Sequence, residues 1–334
     1  MQTVLVTGSS GYIGSHLVYL MLEAGFKVLG YDKKEFPIQG LEGFEPIRGD
    51  LLDRSALQKS FTNRKIDGIF HLASSSDMSQ SFDNPSAYLE QERRKMQHLL
   101  ELANHASGLK YFVFASSCSV YGDVVTGGAL ESDAPDPRSP YAQAKVESEN
   151  QLIEACGGGN FSGGILRFFN VIGCLPSKGL IERHDPESHL LPLIVDALLS
   201  GKAIEVFGDD FATPDGSAIR DYVDVSDICS GLMNAASYLS GKCASVSNCE
   251  IWNLGSGNPT SVFELIQRAT QEMNTTAIVR IAKRRPGDPA RASAPSGKAN
   301  QELSWFPKVS LSDSIRNVVT AFSQNGASPN NCKQ

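Results

Sequence analysis

The residues best suited to move a proton in this 334-residue sequence are Tyr141 and Lys145, four positions apart. On a helix, positions i and i+4 lie on one face, so the two side chains would be neighbours. A lysine ammonium beside a phenol favours the phenolate and would lower the pKa of the phenol from its usual value of about 10. The pair therefore predicts a general base that takes a proton from a hydroxyl group. A surface helix with this spacing and no function is the alternative.

A serine-rich segment follows the apolar run at 111–115 and reads Ser-Ser-Cys-Ser-Val-Tyr-Gly over residues 116–122. In open α/β sheets, ligands bind at the carboxyl ends of the strands. Ser117 at such an end would hydrogen-bond both a substrate hydroxyl and Tyr141. The sequence thus predicts a catalytic set of Ser117, Tyr141 and Lys145, whereas a polar turn is the alternative for the serine alone.

A glycine-rich segment, Gly-Ser-Ser-Gly-Tyr-Ile-Gly over residues 8–14, separates a predicted strand from a predicted helix. Glycines permit a tight turn and close approach of the backbone to a pyrophosphate, and the helix N-terminus presents N–H groups to it. This context predicts a dinucleotide site formed by Gly8, Gly11, Tyr12, Ile13 and Gly14. A glycine-rich turn without a ligand is the alternative.

Two aspartates extend this cofactor prediction. Asp32 ends the next predicted strand, where a carboxylate accepts hydrogen bonds from the adenosine ribose and repels a 2′-phosphate. NAD is therefore favoured over NADP. Asp50 is predicted to reach the adenine edge, with a helix N-terminal cap as the alternative.

Short apolar runs alternate with helical patterns through the first half of the chain, which predicts βαβ units and a parallel sheet. The predicted strands are 4–6, 27–31, 44–48, 66–72, 111–115 and 165–169, and the predicted helices are 13–24, 86–106 and 262–273. The fold class expected is α/β, a doubly wound, Rossmann-like parallel sheet with a smaller C-terminal mixed α/β domain. We predict a cofactor-binding domain at 1–165, to which later segments return, and a substrate region at 166–325.

Composition narrows the partners. A net charge of −7 disfavours nucleic acid. Seven dispersed cysteines without a CxxC pair indicate reduced thiols, and dispersed histidines give no metal site. No apolar run reaches the roughly 18 residues of a membrane span, and the first run has no signal-peptide pattern. We expect a cytoplasmic protein that binds a small phosphorylated ligand.

Together these motifs identify the chain as similar to the extended short-chain dehydrogenases/reductases of the NAD-dependent epimerase/dehydratase family, and most of all to the UDP-glucose 4-epimerases. The similarity spans nearly the whole chain. Besides residues 6–16, 116–122 and 139–145, it rests on Arg-Phe-Phe-Asn-Val-Ile-Gly (167–173), Asn-Leu-Gly-Ser-Gly (253–257) and Arg-Arg-Pro-Gly-Asp (284–288). The most branch-specific stretch is Thr-Pro-Asp-Gly-Ser-Ala-Ile-Arg-Asp-Tyr (213–222).

The resemblance implies NAD-dependent C4 epimerisation of a nucleotide sugar through a 4-keto intermediate, and a homodimer through helices near 86–106 and 140–156. It implies a catalytic triad of Ser117, Tyr141 and Lys145. The implied cofactor-binding residues are Gly8, Gly11, Tyr12, Ile13, Gly14, Asp32, Asp50, Leu51, Leu72, Ala73, Lys145 and Phe168. The implied substrate-binding residues are Ser117, Tyr141, Asn170, His189, Leu190, Phe207, Arg220, Arg285, Asp288 and Ala292.

Three segments depart from the family pattern. After His71-Leu-Ala there is no glycine and, through Asp77, no lysine. The next helix carries Gln-Glu-Arg-Arg-Lys-Met (91–96) where the family has an Asn-x-x-Gly-Thr motif. His189 stands where a substrate-site asparagine is usual. The first two changes are expected to alter how NAD is held.

Ala292 leads to a hypothesis about the substrate. In the resembled family a bulky residue here restricts the pocket to simple hexoses, and a small one leaves room for an N-acetyl group. The rival functions are a nucleotide-sugar 4-ketoreductase, dehydratase or decarboxylase, and a non-catalytic NAD sensor. Dehydratases of this fold carry Asp-Glu after the serine or threonine, whereas this chain has Cys118-Ser119.

Overall fold

The chain folds around one seven-stranded parallel sheet, with a smaller mixed region at one end. The computed structural model describes residues 2–74, 80–123, 128–182, 187–241, 249–285 and 287–324. The strands are β1 (Thr3–Thr7), β2 (Lys27–Asp32), β3 (Phe44–Arg48), β4 (Gly68–His71), β5 (Tyr111–Ser117), β6 (Ser162–Phe168), β7 (Asn170–Ile172), β8 (Ala203–Phe207), β9 (Ile219–Asp224), β10 (Cys249–Leu254), β11 (Pro259–Ser261), β12 (Ile278–Ala282) and β13 (Arg291–Ala292). The helices are α1 (Tyr12–Glu23), α2 (Arg54–Phe61), α3 (Gln80–Asp83), α4 (Pro85–His105), α5 (Pro140–Cys156), α6 (Leu190–Ser200), α7 (Val225–Ser240), α8 (Val262–Glu272), α9 (Gly297–Leu303) and α10 (Leu311–Gln324).

The strand order in the large sheet is β3-β2-β1-β4-β5-β6-β10, and every neighbouring pair is parallel. The chain moves outward from β1 to β3, returns to β4, and then moves outward in the opposite direction. The order therefore reverses between β1 and β4, which opens a crevice at their carboxyl ends where ligands bind in such sheets. The predicted doubly wound, Rossmann-like fold is confirmed.

Both faces of the sheet are covered, which is why its central strands are apolar almost throughout. One face packs Val4, Val113 and Trp252 in a core shared with α1 and α7. The opposite face packs Leu5 and Phe112 in a core shared with α2, α4 and α5.

Strand β10 joins the sheet beside β6 although it lies far along the sequence. Its Trp252 is fully buried in the core. The predicted boundary at residue 165 falls within β6, and the division into residues 1–165 and 166–325 stays a prediction.

The smaller region combines short strands and helices, as predicted. Strand β9 pairs antiparallel with β11 and parallel with β13 and β7, while β8 pairs with β12. Helices α6, α8 and α10 pack a separate apolar core around Ile194, Leu265 and Ile315. This region places β9 and β13 over the carboxyl end of the large sheet, opposite the crevice.

Element boundaries differ from the predicted ones by a few residues. The largest difference is β6, predicted at 165–169 and found at Ser162–Phe168. The first residues of β6 were not predicted as strand because they include Gly163 and Gly164, and glycine is a poor strand former. The structure uses the missing side chain, since a Cβ on Gly163 would lie 2.5 Å from the sulfur of Cys156 and 2.8 Å from that of Cys249.

In the described part of the chain, no helix is both long and apolar enough to cross a bilayer. The same residues contain no group of three or more His, Cys, Asp or Glu side chains arranged to hold a metal ion.

Candidate active site

A cavity of about 1550 Å³ lies over the carboxyl ends of β1, β4 and β5, between the large sheet and the smaller region. It is lined by every predicted cofactor residue, namely Gly8, Gly11, Tyr12, Ile13, Gly14, Asp32, Asp50, Leu51, Leu72, Ala73, Lys145 and Phe168. It is also lined by every predicted substrate residue, namely Ser117, Tyr141, Asn170, His189, Leu190, Phe207, Arg220, Arg285, Asp288 and Ala292. Residues as far apart in sequence as Gly8 and Ala292 therefore meet in one space. Their individual roles stay predictions.

The glycine-rich turn between β1 and α1 is shaped by close backbone contacts. Gly8 has φ +74°, and a Cβ there would lie 2.7 Å from the backbone nitrogen of Ala73. A Cβ on Gly14 would lie 1.9 Å from the carbonyl oxygen of Gly8. Gly11 supplies no side-chain cap to α1. The first N–H groups of that helix are thus available to a phosphate, as at other helix N-termini.

The carboxylate of Asp32 is fixed at the end of β2 by two backbone donors. Its Oδ2 accepts a hydrogen bond from the Ser10 N–H at 2.9 Å, and its Oδ1 accepts one from the Lys34 N–H at 2.9 Å. Asp32 therefore ties the second strand to the glycine-rich turn and stands at the cavity edge, where a ribose would lie in this fold.

Asp50 lines the same end of the cavity and does not cap a helix. Its Oδ1 accepts a hydrogen bond from the Leu52 N–H at 2.9 Å, and its Oδ2 lies 2.8 Å from the Lys33 ammonium. Helix α2 is capped by Asp53 instead. The alternative that Asp50 is a helix cap is excluded.

The start of α5 determines where Tyr141 and Lys145 stand. Ser139 caps the helix by accepting a hydrogen bond from the Ala142 N–H at 3.1 Å, and Pro140 occupies the first turn, where its missing N–H has no cost. Tyr141 and Lys145 then lie on one face, with the ammonium 5.7 Å from the phenol ring centroid. The Lys145 ammonium donates to the Ala115 carbonyl oxygen of β5 at 2.9 Å.

Ser117 ends β5 beside this face of the helix. Its Oγ accepts a hydrogen bond from the Ser119 N–H at 3.2 Å, at the start of a short 3₁₀ helix over Cys118–Tyr121. The neighbouring Ser117 hydroxyl lowers the pKa of the Tyr141 phenol. The structure thus brings Ser117, Tyr141 and Lys145 together as predicted.

The pKa of Tyr141 differs from the expectation. Its pKa is raised to about 12, mainly by burial and also by the nearby Cys118 and Glu92, against the lowering by Ser117. Burial also lowers the pKa of Lys145 to about 8, against the raising effects of Glu92 and Glu149. The expected lowering of the phenol pKa by Lys145 is therefore wrong for the protein alone, because desolvation disfavours the charged form of both groups.

The sequence analysis did not predict a buried ion pair that begins one turn after Lys145 on α5. The Arg167 guanidinium donates to both carboxylate oxygens of Glu149, from Nε at 3.0 Å and from Nη2 at 2.6 Å. The two side chains are 2% and 3% exposed, and Ser116 donates to the same carboxylate. A detectable signal was present, because Glu149 follows Lys145 at the i+4 spacing of one helix face.

The charged segment on α4 contains a second network that the sequence analysis did not find. The Glu92 carboxylate accepts hydrogen bonds from the Ser74 hydroxyl at 3.0 Å and from the Lys95 ammonium at 2.5 Å. Ser74 and Lys95 both line the cavity. The neighbouring departure from the family pattern, the segment without lysine that runs through Asp77, lies from residue 75 onward outside the described residues.

The opposite end of the cavity contains two arginines that come from separate segments. The Arg220 guanidinium on β9 donates to the Asp288 carboxylate. The Arg285 guanidinium stacks over the Phe207 ring at 4.0 Å from the centroid. A guanidinium binds a pyrophosphate bidentately, so both arginines suit a nucleotide diphosphate.

His189 stands at the N-cap position of α6 without capping it. Its Nδ1 lies 2.7 Å from Oε1 of the buried Glu182. Its backbone N–H donates to Glu187 at 2.9 Å. The residue that departs from the family pattern is thus fixed by a carboxylate that lines the same cavity.

The chain is similar to known proteins of one family over most of its length. The family model described as "NAD dependent epimerase/dehydratase family" matches residues 4–255. UDP-glucose 4-epimerase of Halalkalibacterium halodurans is 35% identical over 310 residues, which cover 92% of this chain and 91% of the relative.

Solved structures agree with this match. UDP-glucose 4-epimerase of Stenotrophomonas maltophila, with bound NAD and formylated UDP-arabinopyranose, superposes with a TM-score of 0.90 at 28% identity and covers 98% of this chain and 99% of its own. The enzyme of Bifidobacterium longum, in complex with NAD⁺ and UDP, gives a TM-score of 0.89 at 26% identity, with 97% and 99% covered. By fold, cavity and sequence, the chain belongs to the NAD-dependent epimerase/dehydratase family.

Proposed function

We propose that this protein is an NAD-dependent 4-epimerase of a nucleotide sugar, with UDP-glucose and UDP-galactose as the leading substrates. The observation that carries the proposal is the cavity itself. Its lining brings together Ser117, Tyr141 and Lys145, the glycine-rich turn at residues 8–14, and two arginines, Arg220 and Arg285. That combination suits a cofactor and a nucleotide sugar that meet at the phenol.

The residues at the end of the cavity that contains the glycine-rich turn fit NAD. A Cβ at Gly8 or Gly14 would collide with the protein's own backbone, so the two glycines keep the turn tight, and a tight turn of this kind lets the N-terminus of α1 approach a pyrophosphate. The Asp32 carboxylate suits two ribose hydroxyls and repels a 2′-phosphate. When bound, NAD supplies a hydride acceptor that is regenerated in each cycle.

Tyr141 removes the proton from the sugar 4-hydroxyl, while Ser117 orients that hydroxyl and shares its hydrogen bond with the phenol. With a phenol pKa near 12, the phenolate must be favoured by positive charge at this place. Lys145 supplies one such charge below its pKa of about 8. After the 4-keto sugar has turned over within the cavity, the opposite face of C4 would be presented for return of the hydride, and Tyr141 returns the proton to the 4-oxygen.

The second end fits the rest of the substrate. Arg220 and Arg285 bind the diphosphate, and Asp288 accepts from a ribose hydroxyl once Arg220 engages phosphate. Asn170, His189, Leu190 and Phe207 complete the wall around the nucleotide.

The other nucleotide-sugar reactions are less well supported. A 4,6-dehydratase needs an acid and a base beside the serine, whereas Cys118 and Ser119 stand there, and burial raises the pKa of the Cys118 thiol to about 11. A non-catalytic sensor has no need of a buried Lys145 with a perturbed pKa beside a buried phenol.

The pocket at β13 extends the proposal to N-acetylated sugars. Ala292 is buried and pairs in register with Arg220 of β9. Its small side chain leaves room for an N-acetyl group. In Ala292→Tyr, turnover of UDP-N-acetylhexosamines should fall at least tenfold more than turnover of UDP-hexoses, by comparison of kcat/KM for both. Equal losses would contradict the specificity hypothesis, and Ala292→Ser is the matched small control.

We also propose a homodimer through α4 and α5. The two helices pack against each other, and Ile153 on α5 keeps 43% of its surface exposed. Light scattering should give twice the chain mass, and Ile153→Asp should shift it toward the monomer. A monomeric parent would contradict this assembly.

A cytoplasmic location completes the proposal. The five described cysteines, Cys118, Cys156, Cys174, Cys229 and Cys249, are free thiols. Free thiols persist in reducing compartments.

The test of the function is proton NMR of UDP-glucose, UDP-galactose and their N-acetyl forms with catalytic amounts of enzyme and no added cofactor. The C4 epimer should appear. Absence of any epimer, even with added NAD, would contradict the proposal.

A further inference from the structure

A cluster of three polar groups lies in the wall of the cavity and has no part in the proposed proton transfer. It consists of Ser74 after β4 and of Glu92 and Lys95 on α4, joined by the two hydrogen bonds to the Glu92 carboxylate. The side chains of Lys95 and Glu92 are 13% and 9% exposed. Lys95 and Ser74 line the cavity, so the ammonium is desolvated from the helix side and open to a ligand on the other.

This ion pair is placed where it brings little stability. A buried ion pair loses about as much in desolvation as it gains in attraction, so an apolar pair would serve packing as well. One turn further along α4, the buried positions are indeed apolar, with Met96 and Leu99 fully buried. The pair of Glu90 and Arg93 on the same helix is about half exposed, as surface ion pairs usually are. Stability therefore does not explain why Lys95 is buried beside the cavity, whereas binding of a ligand by its ammonium would explain it.

The position of the Lys95 charge follows from the groups that it influences. It lowers the pKa of Lys145 and of His71 at one end of the cofactor side, and that of Asp50 at the other. The Lys95 ammonium is thus within electrostatic range of both the proton-transfer end and the adenosine end of the cavity that Lys95, Lys145 and Asp50 line. An extended dinucleotide that joined these ends would carry its phosphates and second ribose past this point.

We propose that Lys95 binds the phosphate–ribose portion of NAD, and that Glu92 and Ser74 hold its ammonium ready for that contact. The inference rests on the proposed function in that the cavity must hold NAD. An ammonium has three donors. One is held by Glu92, and the others are available to pyrophosphate or ribose oxygens. Lys95 is then a cofactor-binding residue in the very segment that departs from the family pattern.

The experiment measures how long purified enzyme keeps NAD. Enzyme loaded with radiolabelled NAD is chased with excess unlabelled NAD, and the dissociation rate is followed by filtration. Lys95→Gln should release the label about tenfold faster, the effect of one lost charge-assisted hydrogen bond. Lys95→Arg, which keeps the charge, should stay within threefold of the parent. The matched control is Arg94→Gln on the exposed side of α4, which should release NAD at the parental rate.

Glu92→Gln separates ligand binding from a structural role. The amide oxygen of the variant still accepts a hydrogen bond from the Lys95 ammonium and keeps it in place, so NAD should be released at close to the parental rate. Release within twofold of the parent in Lys95→Gln would overturn the proposal. So would equally fast release in Glu92→Gln and Lys95→Gln accompanied by equal losses of Tm, because that pattern marks a merely structural pair.

The outcomes also distinguish this proposal from the proposed function. A parent that retains NAD but produces no epimer refutes the 4-epimerase proposal and leaves the Lys95 measurement valid. A parent that binds no NAD, even at millimolar concentration, overturns the role of Lys95 as well.

Discussion

Tyr141 and Lys145 stand on the first turns of one helix, whereas Arg220, Arg285 and Asp288 come from two separate segments at the other end of the cavity. In the first group Lys145 is buried and Tyr141 half-buried, and one turn further along the helix Glu149 forms an ion pair with Arg167 in which the two side chains are 3% and 2% exposed. In the second group, Arg220 and Asp288 bind each other in the space that a substrate would enter. The geometry around Tyr141 and Lys145 is fixed by packing, whereas a ligand must replace the contact between Arg220 and Asp288. Substitutions around Tyr141 and Lys145 should therefore affect the reaction rate or the stability of the fold. Substitutions around Arg220 and Arg285 should affect the affinity for substrate.

The largest effect is expected at the phenol. Tyr141→Phe removes the proposed base, and general acid–base catalysis contributes about 10²–10⁴-fold to rates. We expect kcat to fall about a thousandfold by the NMR assay, with NAD still bound. Tyr19→Phe, which removes an exposed phenol that donates to Glu23, is the control and should keep full activity. A residual rate above one tenth would assign the proton transfer to another group.

The buried ion pair should carry the largest stability effect. Glu149→Gln leaves the Arg167 guanidinium without a charged partner in the interior, and breaking such a pair costs about 3–5 kcal/mol. The free energy of unfolding in urea should fall by roughly 3 kcal/mol, since the amide keeps part of the hydrogen bonding. Glu90→Gln, in an exposed pair with Arg93, should leave the free energy of unfolding nearly unchanged. A loss below about 1 kcal/mol in Glu149→Gln would mean that the group around Tyr141 is held no more firmly by packing than the group around Arg220.

Replacement of Lys145 should change the free energy of unfolding in the opposite direction, because burial of its ammonium opposes folding. Its pKa of about 8 lies below the value of about 10.4 in an unfolded chain, so the unfolded state binds the proton more tightly. Below pH 8 this difference destabilises the fold by roughly 3 kcal/mol, and the penalty disappears as the pH rises from 8 to above 10. Lys145→Met also loses the hydrogen bond to Ala115, worth about 1 kcal/mol.

Lys145→Met should therefore be more stable than the parent by about 2 kcal/mol at pH 7, while it loses activity. The difference should shrink as urea denaturation is repeated at pH 8, 9 and 10. A variant less stable than the parent at pH 7 would show that contacts of Lys145 outweigh its desolvation.

The smallest effect is expected at the arginine end. Arg285→Gln removes one charge-assisted contact to phosphate, so KM should rise about tenfold with kcat nearly unchanged. Arg284→Gln is a close control, because Arg284 stacks on Phe211 at 4.0 Å as Arg285 stacks on Phe207, but Arg284 lies outside the cavity lining. A fall in kcat for Arg285→Gln would mean that this end, too, acts on the reacting group.

The sequence was most informative where local rules decide the geometry. The β1–turn–α1 unit is governed by glycine spacing and helix-end chemistry, and the Tyr141–Lys145 pair by helix periodicity. Both appear in the structure as predicted. Asp32 was placed for the same reason, since it ends a strand in a known order.

Properties that depend on distant segments were not predictable. Arg167 meets Glu149 only because β6 pairs beside β5 over α5, and Lys95 meets Ser74 only because α4 packs against the end of β4. The pKa of Tyr141 was predicted with the wrong sign, because a spacing rule shows neighbours and not the desolvation that both groups share.

Strand β10 has a consequence for synthesis on the ribosome. The partner edge of β6 is complete at Phe168, but β10 ends at Leu254, more than 80 residues later. At about 5–20 residues per second, the nascent sheet waits roughly 4–17 s with an open apolar edge and no Trp252 to fill its core. Folding of the cofactor half must therefore be completed late, and a ribosome that stalls within this interval would expose a strand edge prone to mispairing.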